Sequence, residues 1–124
     1  MVTTKQLGDE GEARALQHLQ RHGLRLVERN YRLARGPSAH GGEIDLILRA
    51  VDGTLVFVEV RQRRHAAHGG AAASIGLRKQ QHLWRTAQQY LSRFRSPPPC
   101  RFDVVTLEGE ALTWLVAAFE CTPS

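Results

Sequence analysis

A chain of 124 residues with 42% hydrophobic residues is long enough for one globular domain, which we expect to span residues 1–124. It has no apolar run of transmembrane length, and its first residues are polar and charged, unlike a signal peptide; we therefore expect a cytoplasmic protein without membrane contact. The net charge of +5 favours an anionic partner. The two cysteines, Cys100 and Cys121, form no CxxC pair, which argues against a zinc knuckle and favours reduced thiols.

The order of the predicted elements is α-β-β-β-α-β-β, which is typical of an α/β fold with a mixed five-stranded sheet flanked by two main helices. Apolar periodicity, the Asp52-Gly53 turn and the prolines at 97–99 set the boundaries. The elements, in chain order, are a helix over 6–22 closed by Gly23, strands over 24–33, 43–49 and 54–62, a helix over 75–94, and strands over 102–107 and 111–116.

The first helix carries a carboxylate in its apolar face. At about 100° per residue, Glu12 falls near the centre of the apolar arc. A carboxylate there either pairs with a nearby arginine or faces a functional site, and the sequence favours neither reading. The apolar residues of the arc are Ala13, Ala15, Leu16 and Leu19.

Two further carboxylates, Asp45 and Glu59, interrupt the strongly apolar patterns of the second and third strands. Burying an unpaired charge costs several kcal/mol, so each of these side chains needs a partner. A divalent cation shared by both is the interpretation we favour. An ion pair with Arg61 or Arg63 is the weaker alternative.

The turn between these strands decides whether the two carboxylates meet. A two-residue loop at 52–53 would put them on opposite faces of the sheet. A three-residue loop at 51–53, with its last residue left-handed, would pair Asp45 directly with Glu59, at about 5 Å between Cβ atoms. We predict the three-residue loop or an equivalent bulge, which also places Arg61 on the same face as Glu59.

A strongly basic stretch follows the carboxylates. Between residues 61 and 101 the sequence has nine Arg or Lys residues and no Asp or Glu. Such a stretch suits a polyanion whose backbone is drawn to a metal, whereas a solvated arginine-rich surface is the simpler alternative. The residues that we expect to contact nucleic acid are Arg63, Arg64, Arg78 and Lys79.

The second helix has two polar residues at its apolar stripe. Gln80 falls near the middle of the stripe and Lys79 at its edge. Gln80 either donates a hydrogen bond to strand backbone or faces the site. The stripe, which we assign to the core, consists of Leu83, Trp84, Ala87, Leu91 and Phe94.

Histidines offer a different metal site. His65 and His68, with His40, could hold a transition metal. Their surroundings are rich in Gly and Ala and predict a loop, so exposed histidines are the simpler interpretation.

The chemistry of the carboxylate pair points to phosphodiester hydrolysis. Carboxylates and water are the ligands that Mg²⁺ prefers, and Mn²⁺ can replace it. A metal held there polarises a phosphodiester and acidifies a bound water, and a nearby cation stabilises the developing charge. The alternative is a non-catalytic nucleic-acid-binding module with a decayed or regulatory metal site.

The ordered motifs resemble those of the bacterial YraN family, which is similar to the PD-(D/E)xK nucleases and to the archaeal Holliday-junction resolvases among them. The motifs are Gly8-x-x-Gly11-Glu12, Arg29-Asn30-Tyr31-Arg32, Gly42-Glu43-Ile44-Asp45-Leu46-Ile47, Leu55-Val56-Phe57-Val58-Glu59-Val60-Arg61-Gln62-Arg63, Arg78-Lys79-Gln80 and Arg101-Phe102-Asp103-Val104-Val105.

This resemblance implies a restriction-endonuclease-like core and a Mg²⁺-dependent endodeoxyribonuclease, acting on branched or junction DNA and able to form a homodimer. It implies that Asp45 and Glu59 are the metal ligands. It also implies that Glu12 is a helix-borne carboxylate and Gln80 a helix-borne amide at the site. Glu43 matches the family's GEID motif.

The chain departs from the pattern at one position. The family's Glu-x-Lys is Glu59-Val60-Arg61 here. Arginine effectively cannot lose its proton, so Arg61 can hold a phosphate or stabilise a transition state but cannot act as a general base. Lys79 on the second helix is the alternative source of an ammonium group.

Overall fold

The helices and strands form in the predicted order in the computed structural model, which describes residues 4–33, 42–63 and 75–120. In this part of the chain, no helix is long and apolar enough to cross a membrane. The elements are α1 (Thr4–Arg21), β1 (Arg25–Arg32), β2 (Glu43–Arg49), β3 (Leu55–Arg63), α2 (Leu77–Leu91), β4 (Cys100–Glu108) and β5 (Ala111–Phe119).

The five strands form one mixed sheet in which spatial order follows chain order. β1 and β2, β2 and β3, and β4 and β5 are antiparallel, whereas β3 and β4 are parallel. Parallel neighbours require a crossover connection, and α2 lies in that connection. The predicted fold class is therefore confirmed: an α/β fold with a five-stranded mixed sheet and two helices.

The two helices cover opposite faces of the sheet, because β2 and β3 carry apolar residues on both sides. On one face, Leu19 of α1 belongs to a buried cluster with Val56. On the other, Leu83 of α2 belongs to a cluster with Phe57. The middle of β2 and β3 therefore lies between two apolar layers.

The apolar face of α1 is placed differently from the prediction. Ala13 is exposed, and Gly11 is buried in its place. A Cβ atom at Gly11 would collide with the amide of Gln62 and lie 3.0 Å from Cδ1 of Leu107. The helix thus approaches the sheet most closely one residue before Glu12, and this brings Glu12 to the sheet.

The ends of the helices follow partly from the sequence. α1 ends at Gly23 as predicted, with φ of +90° and the Leu24 N–H donating to the Leu19 carbonyl at 3.1 Å. α2 is shorter than predicted and ends at Leu91, since Ser92 forms its cap. Its buried stripe contains Leu83, Thr86, Ala87, Tyr90 and Leu91, with Trp84 and Phe94 packed at its border.

The last strand is longer than predicted because it contains a bulge. β5 continues to Phe119, and its register against β4 shifts near its end. At the shift, Ala117 has φ of +52° and its N–H donates to Oδ1 of the buried Asp103 at 2.9 Å. The bulge depends on this side chain from another strand, so the local sequence gives no sign of it.

Candidate functional site

The turn between β2 and β3 is the predicted three-residue loop. The Gly53 N–H donates to the Ala50 carbonyl at 2.9 Å, and the Ala50 N–H donates to the Thr54 carbonyl at 2.9 Å. Gly53 has φ of +94°, which is in the left-handed region that glycine enters without steric cost. Ala50 therefore faces Thr54, which fixes the register of the strands.

This register brings Asp45 opposite Glu59. The ladder between the strands pairs Arg49 with Leu55 and continues to Leu46 and Val58. Beyond that pair the strands part: the Val60 N–H donates to Oδ2 of Asp45 at 2.8 Å. The Asp45 carboxylate thus accepts a hydrogen bond that a backbone carbonyl would accept in a regular ladder. This contact holds it at the point where the two strands separate.

Asp45 and Glu59 form a coupled pair of carboxyl groups. Burial raises the pKa of Asp45 to about 8; the negative charge of Glu59 and a hydrogen bond with it add to the increase, and the Val60 N–H opposes it. Asp45 therefore keeps a proton near neutral pH, and a cation binding between the two groups would displace that proton.

Two basic side chains lie beside Glu59. Lys79 Nζ is 3.4 Å and Arg61 Nε is 3.8 Å from Glu59 Oε2. Glu59 is 10% exposed, whereas Lys79 is 46% exposed. Glu59 thus forms the ion pair with Arg61 that was the alternative to metal binding, and it also has a second cation that comes from α2.

Glu12 forms the arginine ion pair that was one of its two sequence interpretations. Its Oε1 lies 3.6 Å from a guanidinium nitrogen of Arg29, and its side chain is 15% exposed. Burial raises the pKa of Glu12. The positive charge of Arg29 lowers this pKa, and the negative charges of Glu43 and Asp9 raise it further. The charge of Glu12 also raises the pKa of Asp45, so the helix carboxylate is close to the strand pair.

Gln80 and Arg78, both on α2, are the other predicted residues whose side chains the structure describes. Gln80 donates its amide to the carbonyl of Ile75 at 2.7 Å, a backbone partner before α2 rather than in a strand. Arg78 is exposed on α2. Arg64, the side chain of Arg63, and all three histidines considered above (40, 65 and 68) lie outside the described part of the protein.

The donor set fits a hard divalent cation with a partly aqueous coordination sphere. Among the residues that the structure describes, no three His, Cys, Asp or Glu side chains are grouped closely enough to ligate one ion. Asp45 and Glu59 would supply the protein ligands and water the others. Mg²⁺ keeps several waters and commonly binds through one or two carboxylates, so two suffice.

Sequence reasoning missed one residue of the site, Asn30 in β1. It has φ of +54° in the interior of a strand, and its amide lies against the carboxylates of Glu12 and Glu43. The type of residue is a weak signal, since Asn is among the few residues that adopt a left-handed conformation. The contacts depend on α1 and β2, which the local sequence does not reveal.

A groove of about 500 Å³ lies along α2 from its N-terminal end and also borders Glu120, which follows β5. Gln80, the residue after Lys79, lines this groove, and so do Trp84 and Arg85. The complete lining is Leu77, Gln80, Gln81, Trp84, Arg85, Gln88 and Glu120.

Comparisons with known proteins agree with the motifs. Residues 11–107 match the sequence model of "Uncharacterised protein family UPF0102". A UPF0102 protein of Methylibium petroleiphilum is 64% identical over 122 residues, covering 98% of this chain and 100% of the relative. UPF0102 proteins of Albidiferax ferrireducens and Cupriavidus pinatubonensis are 63% and 55% identical over 118 residues, covering 95% of this chain and 90% and 88% of the relatives.

Proposed function

The chain belongs to the UPF0102 family, which confirms the resemblance to YraN proteins, and we propose that it is a metal-dependent nuclease acting on DNA phosphodiesters. The observation that carries the proposal is the coupled pair Asp45 and Glu59, with the ammonium of Lys79 3.4 Å from Glu59. A strongly perturbed carboxyl group with a specific charged partner is typical of functional sites.

Asp45 and Glu59 would hold one Mg²⁺ or Mn²⁺, which when bound polarises a phosphodiester and acidifies a water molecule. The backbone N–H of Val60 fixes the orientation of the Asp45 carboxylate. Asp45 must release its proton when the metal binds. Glu12 adds negative charge at the edge of the pair.

We assign the cationic role beside the scissile phosphate to Lys79. Its Nζ lies closer to Glu59 than Nε of Arg61, at 3.4 against 3.8 Å. An ammonium there stabilises the charge that develops on the phosphate oxygens. Arg61 holds the phosphate in place through its planar fork of donors.

The basic stretch provides the route by which nucleic acid reaches the pair. Arg78 is exposed at the N-terminal end of α2, beside Lys79, and Arg85 lies in the groove further along. We also propose that Arg63 and Arg64 contact the phosphate backbone of the nucleic acid. With DNA as the substrate, we propose a cytoplasmic location. A four-way junction, which has two-fold symmetry, would require a homodimer, and that assembly stays a prediction.

Cleavage assays test the proposal. The pure protein is incubated with Mg²⁺ or Mn²⁺ and with linear, flapped or four-way-junction DNA. We expect metal-dependent cleavage that is abolished in the double variant Asp45→Ala, Glu59→Ala. The matched control is Glu10→Ala, which removes an exposed carboxylate of α1 and should leave cleavage unchanged.

Cleavage that survives the double variant would refute this site. If no DNA is cleaved but salt-sensitive binding remains, the protein is the non-catalytic binding module that the basic stretch equally allows. The salt dependence of binding, measured for the wild type and for Arg78→Ala, then gives the number of phosphate contacts.

A further inference from the structure

The backbone of Asn30 is unusual for its place in the fold. Its φ of +54° occurs inside β1, where an extended conformation is expected. Left-handed backbone at a non-glycine residue costs about 1–3 kcal/mol and persists only where the surroundings hold it. The adjacent residues keep normal pairing: Arg29 lies opposite Leu46, and Tyr31 lies opposite Ile44. By this register Asn30 lies opposite Asp45.

The side chain of Asn30 joins carboxylates from two different elements. With its amide nitrogen facing them, it donates to Oε1 of Glu12 at 3.3 Å and to Oε1 of Glu43 at 3.0 Å. The reverse orientation would direct the amide oxygen at two carboxylate oxygens, which is repulsive. One neutral NH₂ group thus links a residue of α1 to the first residue of β2.

Arginines complete this arrangement from the same strand. Arg29 lies 3.6 Å from Glu12, and Arg32 lies 3.7 Å from Glu43. These pairs are partly exposed and hold long side chains loosely. The amide of Asn30, by contrast, contacts both carboxylates at once.

We propose that Asn30 is a positioning residue of the metal site, whose amide holds the carboxylates of Glu12 and Glu43 together beside Asp45. This role rests on the proposed function, because it serves the cation held by Asp45 and Glu59. The left-handed backbone turns the side chain toward the two carboxylates. A neutral double donor is needed, since Glu12 and Glu43 would otherwise repel each other.

Two substitutions distinguish the effect of the Asn30 amide from the effect of its backbone conformation. Asn30→Gly removes the amide but adopts positive φ without steric cost. Asn30→Asp keeps the shape and replaces the NH₂ group with an oxygen. The readouts are Mn²⁺ affinity, measured by electron paramagnetic resonance, and the thermal midpoint of the metal-free protein.

We expect Asn30→Gly to weaken Mn²⁺ binding about tenfold, the lower end of the effect typical of groups that surround a metal site, with an unchanged or higher thermal midpoint. Asn30→Asp should weaken binding at least as much. Wild-type affinity in Asn30→Gly would overturn the role. Tighter binding in Asn30→Asp would also overturn it, because the side chain would then act as an oxygen ligand.

A double-mutant cycle tests whether Asn30 acts through Glu12. In a Glu12→Gln background, Asn30→Gly should cause no further loss of Mn²⁺ affinity. Additive losses would mean that Asn30 acts by another route and would overturn the proposal. A wild-type protein that binds no Mn²⁺ would refute both this role and the proposed function, whereas loss of the Asn30 effect alone refutes only the positioning role.

Discussion

Lys79 Nζ on α2 lies 3.4 Å from Glu59 Oε2 on β3, closer than Nε of Arg61, which is two residues from Glu59 on its own strand, at 3.8 Å. The cation nearest in space thus comes from another element. We therefore expect the cation that assists catalysis to be Lys79 of α2 rather than Arg61 of β3. The two residues can be substituted separately.

Lys79→Ala should lower the rate of DNA cleavage by about 10²–10³-fold with little change in DNA affinity, because it removes a cation that stabilises the transition state. Single-turnover cleavage and a separate binding titration measure the two effects. Arg78→Ala is the matched control: it removes an exposed neighbouring cation and should weaken binding without lowering the single-turnover rate at saturation. Equal rate losses in the two variants would contradict the assignment.

Asp45→Asn should stabilise the metal-free protein at pH 8.5. Burial raises the pKa of Asp45 from 3.8 to about 8, so the folded state holds the proton more tightly than the unfolded state. The stability that the folded protein gains from this tighter proton binding is fully present below pH 3.8 and is lost as the pH rises through 8. The amide oxygen can still accept from Val60, so we expect a gain of at least about 1.4 kcal/mol at pH 8.5, equivalent to one pKa unit.

Urea denaturation at pH 8.5 and pH 3.5 measures this gain, which should disappear at the lower pH. Asp52→Asn is the control, because the pKa of Asp52 is shifted in the opposite direction. The Thr54 N–H lowers the pKa of the exposed Asp52, whose contribution is present above pH 3.8 and is lost as the pH falls. Asp52→Asn should therefore give no gain at pH 8.5. A wild-type protein as stable as Asp45→Asn at pH 8.5 would contradict the raised pKa.

Gly11→Ala should be less stable than Gly8→Ala by about 1 kcal/mol or more, because its added Cβ would lie 3.0 Å from Cδ1 of the buried Leu107, whereas the exposed Gln62 amide can move aside. It should also displace Glu12 and lower cleavage. Gly8→Ala in the same helix is the control, since nothing lies within 4 Å of its added Cβ. That variant should gain about 0.5–1 kcal/mol from helix propensity. Thermal unfolding of the two variants compares them, and equal midpoints would argue against the close approach of α1.

Asp103→Ala should cost about 3–5 kcal/mol, the typical loss when one partner of a buried ion pair is removed. The Asp103 side chain is fully buried and lies 3.1 Å from Nε of Arg101. It also accepts from the indole of Trp114 and the backbone of Ala117, both at 2.9 Å. Denaturation followed by Trp fluorescence measures the loss. A variant within 1 kcal/mol of wild type would show that β5 does not depend on this carboxylate.

Much of the strand pairing followed from local sequence. The turn at 51–53 was predictable because glycine at its last position permits left-handed backbone, and the turn length fixes the register. The approach of Asp45 to Glu59 follows from that register, one position beyond the last ladder pair. The end of α1 at Gly23 was predictable for the same local reason.

Other features depend on contacts between distant elements. The length of β5 was underestimated because its bulge is held by Asp103 of β4. Gln80 fell in the apolar stripe by helical spacing, yet its amide binds the carbonyl of Ile75. A periodicity gives the face of a helix but not which partner a long side chain reaches.

The fold class, the family and the facing pair of carboxylates could be predicted because periodicity, turn chemistry and motif order are local properties of the chain. The charges that surround the pair could not, because they come from elements that meet only in the folded protein. Lys79 reaches Glu59, and Asn30 reaches Glu12, because α2 and α1 pack across opposite faces of the sheet. Such distances depend on the packing of whole elements, which residue spacing along one element does not specify.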